Sequence, residues 1–133
     1  MTHLRHLLCI ATLCAHGAAF ATDTFVTFTP SANATTVVRG GVPTTITVDA
    51  SAPEGVAMAA ARLADDIAEV CGTRPTVSGD MKDGGIVVVL YDSKMLRQMG
   101  LRLYSLKGHR EQYVITTVDG RVAIAGSDKR GAI

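Results

Sequence analysis

Ile86-Val87-Val88-Val89-Leu90-Tyr91 is the stretch that decides the fold. Its apolar residues run without a break, and no polar residue alternates with them. A strand of this kind is covered on both faces or set in the middle of a sheet, as in α/β proteins. On its N-terminal side, residues 79–85 (GDMKDGG) form a polar turn. Before that, residues 74–78 (RPTVS) read as a short strand, with Pro75 suited to a sheet edge. Earlier still, residues 44–48 (TTITV) alternate and are β-branched, so they predict another strand.

A long helix lies between those strands. Ser51 and Pro53 supply a cap and first turn, and Asp49 and Glu54 suit the positive end of the helix dipole. Val56, Ala60, Leu63, Ile67 and Val70 then recur at helical spacing. Arg62, Asp65, Asp66 and Glu69 take the opposite face, where Arg62 can pair with Asp66. Gly72 is suited to end the helix. Asp65 and Asp66 are adjacent and point in different directions, so they read as a solvated face rather than an acid/base pair. Cys71 falls on the apolar stripe and reads as a small buried hydrophobe.

On the C-terminal side of the central strand, residues 93–99 predict a short helix ended by Gly100. Residues 112–118 and 121–125 predict two strands joined by Asp119-Gly120. This dipeptide fits a type I′ hairpin turn, which needs positive φ at both positions. Gly40-Gly41 marks an earlier turn, residues 24–28 (TFVTF) carry strand-forming residues, and Asn33-Ala34-Thr35 matches a glycosylation sequon by chance. The order predicts an α/β (α+β) two-layer sandwich. It has a mixed sheet, one long and one short helix on one side, and a hairpin near the C-terminus.

The first 21 residues read as a secretory signal peptide. Arg5 gives the positive start, residues 7–15 (LLCIATLCA) the apolar core, and Ala19-Phe20-Ala21 the cleavage pattern. The apolar run is too short to cross a bilayer. Residues 22–133 then form one exported domain, periplasmic or secreted. Of the 13 basic residues only Arg5 leaves with the leader, so the remainder balances the 12 acidic ones. That balance argues against a nucleic-acid partner. Aromatics are 5% of the chain and Trp is absent, which argues against a self-sufficient sugar-stacking surface. Tyr91, Tyr104 and Tyr113 lie on or near strands, where core packing is the commoner use. Cleavage leaves Cys71 and His109 as the one thiol and the one imidazole, too few ligands for a first-row metal. No catalytic residue, metal or cofactor is expected.

Residues 126–133 read GSDKRGAI. Gly126 turns the chain, and Ser127 or Asp128 can cap a new helix, but too few residues follow to build one. One face of the hairpin would then lack its cover, at roughly 1.5–3 kcal/mol per uncovered large side chain. The sequence is therefore expected to be a fragment of a longer polypeptide, broken off at a helix start. Lys129 and Arg130 at a helix N-terminus are weak candidates for holding a uronate carboxylate. Gly126, Ser127, Asp128 and Gly120 read as turn and cap residues.

The run Val122-Ala-Ile-Ala-Gly-Ser-Asp-Lys-Arg-Gly-Ala-Ile133 resembles a segment of the N-terminal domain of glycoside hydrolase family 115, the xylan α-1,2-glucuronidases. Leu63-Ala-Asp-Asp-Ile-Ala-Glu-Val-Cys-Gly-Thr-Arg-Pro75 resembles that family's helix and G-x-x-P turn. Lys107-Gly-His-Arg-Glu-Gln-Tyr-Val114 resembles its G-x-x-E-x-[FY] approach to the hairpin. The resemblance spans most of residues 44–133 and extends to the domain 2-like α/β domains of β-hexosaminidases. It implies a non-catalytic accessory domain. Its partner would be the catalytic barrel of the parent chain, which supplies the carboxylates for cleavage, and the parent's substrate a plant polysaccharide. In the family the G-S-D-K-R-G segment opens a helix toward that barrel. The competing readings are an accessory domain of a β-hexosaminidase-type enzyme, a stand-alone exported carbohydrate-binding or inhibitor-like module, and a small hydrolase in its own right, which lacks a nucleophile–base pair.

Overall fold

The computed structural model of the chain describes residues 29, 31, 34–81 and 85–133. The expected leader, the strand expected over residues 24–28 and Asn33 of the sequon lie outside the described residues. So does part of the polar turn, residues 82–84.

A two-residue hairpin comes first: β1 (Val38–Arg39) and β2 (Val42–Pro43) pair antiparallel, and Gly40 and Gly41 both take positive φ at the turn. The main sheet begins with β3 (Ile46–Val48), which leads into α1 (Glu54–Cys71). Next come β4 (Val77–Ser78), β5 (Gly85–Leu90), α2 (Lys94–Gln98) and a 3₁₀ turn (Tyr104–Leu106). The hairpin β6 (Tyr113–Val118) and β7 (Arg121–Gly126) closes the chain. The strand order is β4-β3-β5-β7-β6. All neighbours are parallel except β6 and β7. The sheet is mixed, and β5 stands at its centre, as its unbroken apolar run predicts.

The side-chain parity of β5 explains why the run is unbroken. Ile86 and Val88 face α1 and pack with Ile46, Val48, Val56, Ala60 and Ala64. Val87 and Val89 face the other way and pack with Leu96, Met99, Leu106, Ala123 and Ala125. Successive residues of a strand point to opposite faces, so a strand buried on both must be apolar at every position. This corrects one sequence expectation. The short helix α2 does not share a side with α1; it covers the opposite face, and the sheet lies between two layers. With α1 over Ile86 and Val88, the face bearing Val87 and Val89 needs its own cover, which Leu96, Met99 and Leu106 provide.

Two details of α1 also differ from expectation. Ser51 is not its cap: Pro53 holds the N-cap position without a side-chain hydrogen bond. Val70 is 89% exposed, whereas Ala64 is buried. A stripe that repeats every 3.5 residues drifts by about 20° per heptad on a straight helix, so Val70 has turned off the face set by Val56. Cys71, in the last turn, is half-buried and donates to the Thr73 carbonyl at 3.2 Å. Gly72 ends the helix at φ 78° and donates to the Ala68 carbonyl, the expected left-handed cap. Asp119 (φ 47°) and Gly120 (φ 72°) form the expected type I′ turn.

Candidate functional site

Two places gather polar chemistry. The first lies at the C-terminal ends of β3 and β5. From these adjacent parallel strands the chain departs to opposite faces, into α1 and into α2. Such a switch point opens a crevice in α/β sheets. Here it holds about 220 Å³ and is lined by Asp49, Ser51, Asp92 and Ser93. Asp49 Oδ1 accepts from the Ser51 amide at 2.9 Å and from its hydroxyl at 2.7 Å. Oδ2 accepts from the Ser93 hydroxyl. The same Ser93 oxygen accepts from the Met95 amide at 3.0 Å and so caps α2. The hydrogen bond from Ser93, then those from Ser51, hold the Asp49 carboxyl below its ordinary range. These groups satisfy one another and tie the end of β3 to the start of α2. Sequence reading missed this link, although Ser93 ahead of a short helix signals a cap.

The second place is the GSDKRG turn after β7. Gly126 and Gly131 are both packed against backbone. A β-carbon on Gly126 would meet Gly131 and Ala132, and one on Gly131 would meet the Gln112 carbonyl. Ser127 is buried; its amide donates to the Gln112 carbonyl at 2.8 Å, and its hydroxyl accepts from the Gln112 amide at 3.1 Å. Asp128 Oδ1 accepts from the Gly131 amide at 2.9 Å and Oδ2 from the Glu111 amide at 3.1 Å. These amide bonds, Gly131's first, lower the pKa of Asp128. The Ala132 amide donates to the Asp128 carbonyl at 3.1 Å. Asp128 is thus the residue that caps this turn. Arg130 is paired with Glu111 at 2.8 Å, and both side chains are largely exposed. Lys129 is exposed, with its aliphatic stem beside Gly55 on α1.

The other polar candidates are dispersed. Asp65 pairs with Arg74 at 2.7 Å on the solvated side of α1, and Asp66 is exposed too. His109 is exposed in the loop before β6. Among the described residues no group of three or more His, Cys, Asp or Glu could hold a metal ion. Tyr91 packs against the α2 side of the core, but Tyr104 and Tyr113 are exposed, contrary to the expectation of core packing. Tyr113 borders an apolar groove of about 790 Å³ between α1 and the hairpin.

No protein-family model matches the sequence, and no curated protein matches it. Among solved structures the chain is similar to a family GH115 4-O-methyl-α-glucuronidase described as specific for decorated arabinogalactans. The TM-score is 0.60 at 22% identity, over 67% of this chain and 12% of that one. The chain therefore shares the fold of a segment of that protein and spans a small part of its length.

Proposed function

We propose that this chain is the non-catalytic N-terminal accessory domain of an exported glycoside hydrolase that removes (4-O-methyl)glucuronic acid side chains from a plant polysaccharide. The observation that carries this reading is the shared fold with a 4-O-methyl-α-glucuronidase of which this chain spans 12%. The GSDKRG segment lends support through its sequence resemblance to glycoside hydrolase family 115. Residues 1–21 would be the export signal and residues 22–133 the domain, with the carboxylates for glycoside cleavage elsewhere in the parent. Xylan is the substrate backbone that the sequence resemblance favours, whereas the structural neighbour's stated specificity is for decorated arabinogalactans.

The test is to assay the intact gene product for uronic acid released from glucuronoxylan and from decorated arabinogalactan. Release from one of them is expected, and release from neither would overturn the proposal. Arg130→Ala separates an accessory role from a substrate-binding one. With Arg130 already paired to Glu111, unchanged kinetics are expected, and a raised KM would assign Arg130 to the substrate.

A further inference from the structure

The chain's balanced charge hides a segregation. Residues 93–110 hold five of its 13 Lys and Arg residues and none of its 12 Asp and Glu. The five are Lys94, Arg97, Arg102, Lys107 and Arg110, and all are exposed. Among the described residues none of them pairs with a carboxylate, whereas Arg74 and Arg130 do.

Folding sorts this segment by face. Leu96, Met99 and Leu106 are buried with Val87, Val89, Ala123 and Ala125, and Met95, Leu101 and Leu103 pack beside them. The residues on the other side of the segment, the five cations and Tyr104 among them, are exposed. The segment is therefore a thin layer over β5, β7 and β6, apolar on its inner side and cationic on its outer side. Three strands at about 4.8 Å spacing make that layer about 10 Å across. This is close to the screening length of roughly 8–10 Å at physiological salt, so the fields of neighbouring cations add.

Two of the guanidiniums are anchored. Arg97 donates to the Asp92 carbonyl at 2.7 Å, and Arg102 donates to the Tyr104 hydroxyl at 3.1 Å. Each keeps further N–H donors, enough to meet a carboxylate. Tyr104 is 67% exposed. An open ring beside a guanidinium suits a pyranose that carries an acid: the ring takes the sugar face and the cation takes the carboxylate. With aromatics scarce in this chain, charge supplies most of the attraction.

We propose that the outer surface of residues 93–110 docks an anionic polysaccharide bearing uronic acid groups, held by Arg97, Arg102 and Lys107, with Tyr104 against a sugar ring. It is separate from the GSDKRG turn, where Arg130 already has Glu111. The inference rests on the proposed function for the identity of the anion.

Affinity electrophoresis of the intact gene product tests it, in native gels with and without glucuronoxylan. The comparison polymer is the same glucuronoxylan with its carboxyl groups reduced to alcohols. Retardation by the first and much less by the second is expected. Arg102→Glu with Lys107→Glu is expected to weaken binding roughly tenfold. Arg39→Glu with Arg62→Glu makes the same change in net charge outside the segment and is expected to bind like wild type. Equal retardation by both polymers, no loss in the first double variant, or equal loss in both double variants overturns the proposal. So does tighter binding of single-stranded nucleic acid than of glucuronoxylan at the same salt, which assigns the surface to phosphates. Uronic acid release is read separately, on a short soluble oligosaccharide. No release with the expected retardation pattern removes the functional reading and leaves this surface standing. Release with retardation unchanged in Arg102→Glu/Lys107→Glu removes this surface and leaves the functional reading.

Discussion

Gly131→Ala should be among the most damaging single-methyl changes in this chain. The added carbon would run into the Gln112 carbonyl oxygen, with the Gln112 carbonyl carbon at 3.0 Å and amide nitrogen at 3.1 Å. All of these atoms are backbone, so no side chain can swing aside. The turn and the start of β6 must separate. Separation strains the two Ser127–Gln112 hydrogen bonds and the Glu111-to-Asp128 bond. At about 0.5–1.5 kcal/mol each, or as overpacking at about 1–3 kcal/mol, the expected loss is about 2–4 kcal/mol. For a domain of this size that lowers Tm by roughly 10–20 °C, measured by far-UV circular dichroism. Gly120→Ala is the control. It has positive φ but nothing within 4 Å, so its cost is backbone strain alone, about 1–2 kcal/mol. If Gly131→Ala melts at or above Gly120→Ala, the close approach of turn and hairpin is refuted.

Gly55→Ala should raise Tm by a few degrees. Alanine is favoured inside a helix by about 0.5–1 kcal/mol, and the nearest neighbours of its β-carbon would be the tip of the Ile133 side chain at 3.3 Å and the flexible stem of Lys129; a lowered Tm would count against this. Leu96→Ala, in the α2-side core, should cost about 2–5 kcal/mol, read from the midpoint of urea unfolding. The hydrogen bonds from Ser93 and Ser51 to Asp49, and from the Gly131 and Glu111 amides to Asp128, hold both carboxyls below their ordinary range in the folded chain. Their stabilisation is therefore present above the ordinary carboxylate range, near pH 4, and is lost as pH falls through the folded pKa values. A Tm–pH profile should show this acid limb, and Asp128→Asn should flatten it. Glu111 holds φ 57° and pairs with Arg130. Glu111→Gly relieves strain of about 1 kcal/mol while losing an exposed pair worth about 0.2–1 kcal/mol, so it should melt near wild type and above Glu111→Ala.

The fold was legible wherever local chemistry and tertiary role coincide. The unbroken run from Ile86 onward required a doubly covered strand and became β5. Asp119-Gly120 required a type I′ turn, and both residues take positive φ. Side of packing was less legible. Nothing within Lys94–Gln98 says which face of the sheet it covers; that follows from Val87 and Val89 needing apolar neighbours once α1 is on the other side. The position of Val70 was misread because a 3.5-residue stripe and a 3.6-residue helix agree over one heptad and part over two. The Asp49–Ser93 bond joins residues 44 positions apart, a separation that no local pattern encodes.

The GSDKRG turn shows why its charges drew attention in the sequence and why geometry gives most of its residues another task. Two cations at a helix start suggest an anion site, since free amides and positive charge converge there. In the folded chain the Gly131 amide already has the Asp128 carboxylate as its acceptor. Arg130 is met by Glu111, which sits at positive φ where an extended residue would carry its side chain elsewhere. An incoming carboxylate would have to displace Asp128, a tethered anion, from a bond it already makes. That competition disfavours the ligand, because the tethered group loses no translational freedom on binding and the free one does. The physical role left to the segment is to turn the chain tightly at Gly126, lock it to Gln112 through Ser127, and close on itself through the Asp128 bonds to the Gly131 and Ala132 amides.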